Sequence, residues 1–356
     1  MNTYVNSTEA FVSLLSDIID YGDEIEVRGQ YTTEFMGIPI RLLKPRERCY
    51  VLPHRNDNIF AKIAETLWIM DGRNDIDWLT HYLPRAPEFS DDGKTWRGGY
   101  GPRLRRWGGY MDQVKNVVDL LIEDPQTRRA VISIWNPLED MNPSKDIPCN
   151  NWLHFMIRDG KLHLSVAQRS CDILWGYSGI DTFSWSILQE MIAHWVGVDV
   201  GTFTHYIPSL HLYDKHNIRA QKIVSSYPGT SIYEDVPDII IPKFTTRFAG
   251  FDWGLKLIFD LEETSRQDAN ITLWATIKGI PDPFLRECTR MLFLYNYVKQ
   301  HQHFWLTTLM SSYMADMENT DFKIAAAEYF CRKDKTRLHY LGLQPHILSS
   351  VSRMIP

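Results

Sequence analysis

Long hydrophobic runs are missing from this 356-residue chain: no uninterrupted apolar segment reaches the ~18–20 residues needed to cross a bilayer. A strong excess of either charge is missing too, since the net charge is −6 and the isoelectric point lies near 6.1. No global positive field would gather nucleic acid or an anionic membrane, so a phosphate site must be built locally. Cysteine is sparse. Cys49, Cys149, Cys171, Cys288 and Cys331 are odd in number and widely spaced, without a C-x-x-C pair or clustered histidines. That pattern excludes a disulfide framework and a structural zinc site, and implies reduced thiols in a cytoplasmic setting. The opening Met-Asn-Thr-Tyr-Val-Asn-Ser has no basic stretch leading into an apolar run, so no signal peptide is expected.

Aromatic residues are plentiful, at 13% with 12 Trp among them, and 44% of the chain is hydrophobic. Disorder is excluded beyond the ends, and the length suits one large domain or two ordinary ones. Phe11, Leu14, Leu15, Ile18 and Ile19 recur at helical spacing after the capping candidates Ser7 and Thr8, and Gly22 closes the run. A second helix is expected from about Asn58 to Met70. A third, carrying Val114, Val117, Val118 and Leu121, stops at Asp124-Pro125 and leads into a strand over 130–135. Residues 152–169 alternate as a hairpin turning at Asp159-Gly160. Phe183, Ile187, Leu188, Met191, Ile192 and Trp195 then mark a long buried helix that Asp181 or Thr182 would cap.

Helices alternating with antiparallel strands predict an α+β layered fold. At Pro281-Asp282-Pro283 the character changes to stretches rich in Leu, Met, Phe and Tyr that read as helices up to about Phe330. Residues 1–280 are therefore taken as a catalytic domain and 281–356 as a helical extension.

Cys149, in Pro148-Cys149-Asn150-Asn151, precedes the hairpin. A cysteine chosen at random merely packs. Counting outward from the turn, however, Arg169 in Gln168-Arg169-Ser170-Cys171-Asp172 lies about as far along its strand, and a guanidinium beside a thiol favours the thiolate. Arg128 and Arg129 form a pair at a helix-to-strand junction and Arg28 lies in an early loop. Such residues are usually solvated charges, yet their planar forks also suit phosphate. His211 and Tyr213 share one face of a strand and suit a sugar hydroxyl, or else satisfy each other. Glu65 sits within an apolar helix, where burial would raise its pKa for proton transfer; the plainer reading is the polar side of an ordinary helix.

Taken in order, these segments resemble the thymidylate synthase family. The resemblance rests on Arg28, Glu65-Thr66-Leu67-Trp68, Gly99-Tyr100-Gly101, Asp124-Pro125-Gln126-Thr127-Arg128-Arg129, Trp135-Asn136, Pro148-Cys149, Gln168-Arg169-Ser170-Cys171-Asp172, Gly176 and His211-Leu212-Tyr213. It implies a homodimer in which Arg128 and Arg129 reach across to the 5′-phosphate of a pyrimidine nucleoside monophosphate. Arg28, Arg169 and Ser170 would hold that phosphate from within the subunit. The resemblance also implies that Cys149 adds to C6 of the base, that Glu65 organises a proton-transfer water and that Tyr100 helps remove the C5 proton. His211 and Tyr213 would hold the sugar. Asp172, Gly176 and Trp68 would face the co-substrate 5,10-methylenetetrahydrofolate, and no metal, membrane or nucleic acid is required.

Three departures from the synthase pattern redirect the expected product. Allowing one inserted residue, the Asn that reads uracil becomes Asp181, whose carboxylate suits the exocyclic amine of cytosine. Asn150 follows the nucleophile where synthases commonly have His. The chain continues to Met354-Ile355-Pro356 where synthases end in a tail that closes over the folate, and without that tail water is favoured over hydride. The expected activity is conversion of CMP or dCMP to its 5-hydroxymethyl form. The alternatives are a thymidylate synthase or dUMP hydroxymethylase and, from another class, a non-catalytic nucleotide-binding paralogue. A Cys–His hydrolase ranks below them, because spacing marks no histidine as a partner for Cys149.

Overall fold

The computed structural model describes residues 2–236, 238–301 and 308–355. The chain divides into two compact units, one of residues 1–48 and 64–221 and one of residues 49–63 and 222–356. The expected division at 280 falls inside the second. Pro281-Asp282-Pro283 is a helix start, not a domain boundary. Asp282 Oδ1 accepts Leu285 N–H at 2.9 Å to cap helix Pro283–Gln300, while Oδ2 accepts Thr245 N–H at 2.7 Å and Thr246 N–H at 2.6 Å.

The first unit holds an eight-stranded sheet: β1 Asn2–Tyr4, β2 Asp23–Val27, β3 Gln30–Leu42, β4 Val131–Ser133, β5 Asn150–Arg158, β6 Lys161–Gln168, β7 Cys171–Asp172 and β8 Asp199–Tyr213. Its order is β1-β3-β8-β6-β5-β4, with β2 also on β3 and β7 also on β8. The sheet is mixed where sequence reading expects antiparallel strands. Between β6 and β8 the chain passes through helix Thr182–Val196, a crossover long enough to bring β8 back parallel to β6. Every residue of that helix from Thr182 to Ala193 is buried, and Gly197, at φ 75°, closes it in the left-handed conformation that glycine adopts without strain.

Helix Ser7–Tyr21 buries the expected stripe of Phe11, Leu14, Leu15 and Ile18, but its cap is Asn6, whose side chain accepts Glu9 N–H at 3.0 Å. Helices Ile59–Met70 and Gln113–Glu123 also form where periodicity places them, the latter capped by Asp112. Strand β4 is shorter than expected, because Ile134 N–H and Trp135 N–H both turn to the Asn151 carbonyl, at 2.9 and 3.0 Å.

The hairpin β5–β6 turns at Asp159 and Gly160, both with positive φ as a two-residue type I′ turn requires. Arg158 faces Lys161 next to that turn, but between Trp152 and Asn150 the register slips by one, so Asn150 faces Gln168. Asn151 is the extra residue of a β-bulge, a device that re-aims side chains beside active sites. Through it Arg169 N–H donates to the Cys149 carbonyl at 2.9 Å, so Arg169 stands opposite the cysteine.

The second unit is helical, with helices Phe248–Gln267, Ile271–Lys278, Pro283–Gln300, Thr308–Asp316, Asp321–Cys331 and Pro345–Met354. Trp274, Phe293 and Tyr313 form its aromatic centre, with the Trp274 and Tyr313 ring centroids 4.8 Å apart. Of the helical stretch expected up to Phe330, residues 302–307 lie outside the described residues, as does Pro356. Among the described residues no helix is long and apolar enough to cross a membrane.

Candidate active site

A cavity of about 290 Å³ opens in the first unit. Cys149, Glu65, Tyr100, Ser170, Asp172, Gly176, Trp68 and Asp181, all singled out from sequence, line it together with Trp96, Asp146, Gln168 and Trp175. Of the five cysteines, Cys149 alone is not fully buried.

Arg169 fixes the cysteine loop from the opposite strand. Its Nε donates to the Pro148 carbonyl at 3.0 Å and one terminal nitrogen to the Ile147 carbonyl at 3.1 Å; that nitrogen lies 3.8 Å from Cys149 Sγ. Burial pushes the Cys149 thiol up to about 11, Arg169 opposes that rise, and Asp181 and Asp146 add to it. The sulfur is therefore a thiol at neutral pH, and the guanidinium is placed to stabilise the negative charge that develops as it attacks.

Behind the cavity a buried polar network fixes Asp181. Asn150, fully buried, donates from Nδ2 to Asp181 Oδ1 at 2.8 Å and to the Tyr100 hydroxyl at 2.8 Å, while its Oδ1 accepts Trp185 Nε1–H at 3.1 Å. Gln168 Nε2 donates to Asp181 Oδ2 at 2.8 Å. The expected cap of helix Thr182–Val196 is not made: Asp181 forms no side-chain capping bond, and the Thr182 hydroxyl has no hydrogen-bond partner among the described residues. Asp181 reaches the cavity because residues Ile173–Asp181 form a π-helix, whose wider turns take up one extra residue. Gly176 is needed at its centre, since a Cβ would lie 2.9 Å from Cys171 Sγ and 3.1 Å from Asp181 Oδ2.

Tyr100 begins helix Tyr100–Arg105, seated by Gly101, where a Cβ would meet the Arg73 carbonyl at 2.3 Å. Burial raises the Tyr100 hydroxyl well above the usual phenol range, and Asp181 and Cys149 raise it further. Glu65 is pushed up to about 8 by burial and then by Asp181 and Asp146, so it holds a proton at neutral pH. Its folded-state pKa lies above its unfolded value. Stability should therefore fall as pH rises from the ordinary carboxyl range to about 8, then level off. Thermal unfolding followed from about pH 5 to about pH 9 should show this slope in the wild-type chain and a shallower one in Glu65→Gln, since Glu328, raised to about 7, still contributes; equal slopes would remove the assigned burial effect.

Asp172 and Trp68 support the other wall. Asp172 Oδ1 accepts the Leu174 and Trp175 amides at 2.7 and 3.1 Å, whereas Oδ2 is buried without a hydrogen-bond partner among the described residues. Trp68 donates from Nε1 to the Asp75 carbonyl at 2.8 Å and meets Trp96 edge to face, with centroids 5.6 Å apart.

Other expected residues lie outside the cavity lining. His211 and Tyr213 sit on β8, half-buried with rings 5.3 Å apart, and His211 is in register with Asp172 of β7. Arg28 occupies the exposed turn between β2 and β3 at φ 52°. Arg128 and Arg129 are exposed just before β4, and their own chain does not bring them to the cavity. Sequence reading missed Asp146, Gln168, Trp96 and Trp175 as site residues. Only Gln168 carried a signal, as the neighbour of Arg169.

The thymidylate synthase family model matches residues 9–247. The chain is similar to three phage proteins named deoxyuridylate hydroxymethyltransferase. That of Bacillus phage SP01 is 36% identical over 245 residues, covering 65% of this chain and 64% of the relative. That of Delftia phage PhiW-14 is 35% identical over 217 residues, covering 58% and 60%. That of Pseudomonas phage M6 is 29% identical over 304 residues, covering 82% of each. The chain thus spans less than two thirds of the first two relatives' own length. With two thirds of its residues inside the family match, and with Cys149, Glu65, Asp172 and Asp181 lining one cavity, the chain belongs to the thymidylate synthase family.

Proposed function

We infer that the protein transfers a hydroxymethyl group to C5 of a pyrimidine nucleoside monophosphate, with a cytidine nucleotide, CMP or dCMP, as substrate. The observation that carries the choice of base is Asp181, held by two amide donors in the cavity that contains Cys149. Cytosine presents N4–H and a basic N3, so one proton shared between N3 and the carboxyl satisfies the pair. Uracil presents O4 and N3–H, and is matched only while Asp181 itself carries the proton.

In this reading Cys149 adds to C6, losing its proton as Arg169 steadies the sulfur, and C5 becomes nucleophilic. Tyr100 takes part in removing the C5 proton, and Glu65, protonated at neutral pH, holds water and returns a proton to the base. Ser170, Arg169 and Arg28 take the phosphate with Arg128 and Arg129 of a second copy, and His211 and Tyr213 take the sugar. The buried, unpartnered Asp172 Oδ2 and the indoles of Trp68, Trp96 and Trp175 fit a flat heterocycle bearing N–H donors, as folate is. Methylenetetrahydrofolate would supply the one-carbon unit at the oxidation level of formaldehyde.

A dUMP hydroxymethylase is the second reading, favoured by the names of the three phage relatives. The oxidation state of the folate product tests hydroxymethyl transfer itself. Turnover should release tetrahydrofolate; dihydrofolate formed in step with product would mark a methylating synthase and overturn the reading.

A further inference from the structure

Hydroxymethyl transfer consumes a water, and the oxygen of that water must attack inside the cavity. Four carboxyl groups line it, those of Glu65, Asp146, Asp172 and Asp181. Three are already engaged. Glu65 keeps its proton, Asp181 has one amide donor on each oxygen, and Asp172 caps the π-helix with Oδ1 while its Oδ2 is given to the folate in the reading above. Asp146 differs. It lies three residues before Cys149 on the same loop, and Gly98 N–H donates to its Oδ2 at 2.8 Å. Its Oδ1 accepts no hydrogen bond among the described residues. Gly98 permits this close seating, since a Cβ there would come within 3.0 Å of Asp146 Oδ1, the Asp146 carbonyl and Pro148 N. The loop behind it is pinned, with Asp146 N–H donating to Ser144 Oγ at 3.0 Å and Ser144 Oγ–H donating to Asp91. The charge of Asp146 acts on Cys149, Glu65 and Tyr100 together, which puts it among the reacting groups.

We propose that Asp146 is the general base for the water that becomes the hydroxymethyl oxygen. The inference rests on hydroxymethyl transfer being the reaction. Once C5 has lost its proton it carries an exocyclic methylene, with Cys149 still bonded at C6. Water oxygen bonds to the methylene carbon, and its proton passes to Asp146. The electron pair moves through C5 to re-form the C5–C6 double bond, and the C6–S bond breaks with its electrons on sulfur. No oxidant or reductant is needed.

Asp146→Asn keeps the side-chain size and an acceptor for Gly98 N–H, so the chain should stay folded. With C5-tritiated dCMP, methylenetetrahydrofolate and excess 2-mercaptoethanol, the wild type should give hydroxymethyl product in step with tritium release. In Asp146→Asn the ratio of hydroxymethyl product to tritium released should fall by on the order of 10²-fold, the missing product appearing as the thioether of the added thiol. Asp146→Glu, which keeps a carboxylate, should recover most of the wild-type ratio. A purely structural role would lower tritium release and product together; that result, or an unchanged ratio, overturns the proposal. If the wild type forms no hydroxymethyl product from dCMP or dUMP, the underlying reading has failed instead.

Discussion

Cys149→Ala should abolish turnover, with a loss on the order of 10⁴-fold or more. In the proposed reaction each covalent intermediate carries the C6 bond to its sulfur, and Cys49, Cys171, Cys288 and Cys331 are buried, so none can substitute. The substitution removes a partly exposed side chain at the cavity wall, which should leave the melting temperature nearly unchanged. Two measurements check this. Release of tritium from the C5 position of dCMP should disappear with product formation, and thermal unfolding should remain cooperative. Residual tritium release at more than a few per cent of wild type would mean that another group activates C5. Arg169 acts on the same sulfur from 3.8 Å, but it also anchors the loop through the Ile147 and Pro148 carbonyls. Its replacement would mix loss of chemistry with loss of position, which makes the cysteine the cleaner test.

Asp181→Asn should move base preference toward uracil. The amide donates to O4 and accepts from N3–H, which the ionised carboxylate cannot do. An unmatched buried polar pair costs about 1–3 kcal/mol, so the ratio of kcat/KM for dUMP over dCMP should rise by roughly 10- to 100-fold. The surroundings set the upper limit. Asn150 and Gln168 both donate to Asp181, and an Asn there can accept on one side only, so one neighbouring amide must turn or go unpaired. Asn150 is further held by Trp185, which makes Gln168 the one expected to yield. Competition kinetics with both nucleotides in one vessel measures the ratio directly. An unchanged ratio would remove Asp181 from base recognition.

Much of the catalytic wall was legible in the sequence because it is built on a hairpin. Its strand pattern and Asp159-Gly160 turn bring the Arg169-Ser170 stretch close to Cys149 by counting, and the bulge then sets Arg169 opposite it. The bulge at Asn151 was not legible, since periodicity reports which face a residue occupies and not a one-residue slip. Without the bulge the pairing next to the turn would continue and set Ser170 opposite Cys149. The helices over 7–21, 59–70 and 113–123 followed from apolar spacing, while the cap of the first moved to Asn6 because cap choice depends on local backbone geometry. The mixed sheet was hidden because strand direction is set by the crossover and not by the strand itself. Pro281-Asp282-Pro283 misled as a boundary for a similar reason: proline and aspartate mark a helix start equally well inside a unit. Asp146 and Trp96 escaped notice because their placement depends on loops that meet only in the fold, Gly98 meeting Asp146 across 48 residues.

The mass of the nucleotide product tests the central claim most directly. The wild-type chain would be given equal amounts of dCMP and dUMP with methylenetetrahydrofolate, and the product read by mass spectrometry. The expected product is dCMP heavier by one CH₂O unit, with dUMP largely unconsumed. Hydroxymethylated dUMP with dCMP untouched would contradict the role of Asp181, and thymidylate accompanied by dihydrofolate would contradict hydroxymethyl transfer altogether.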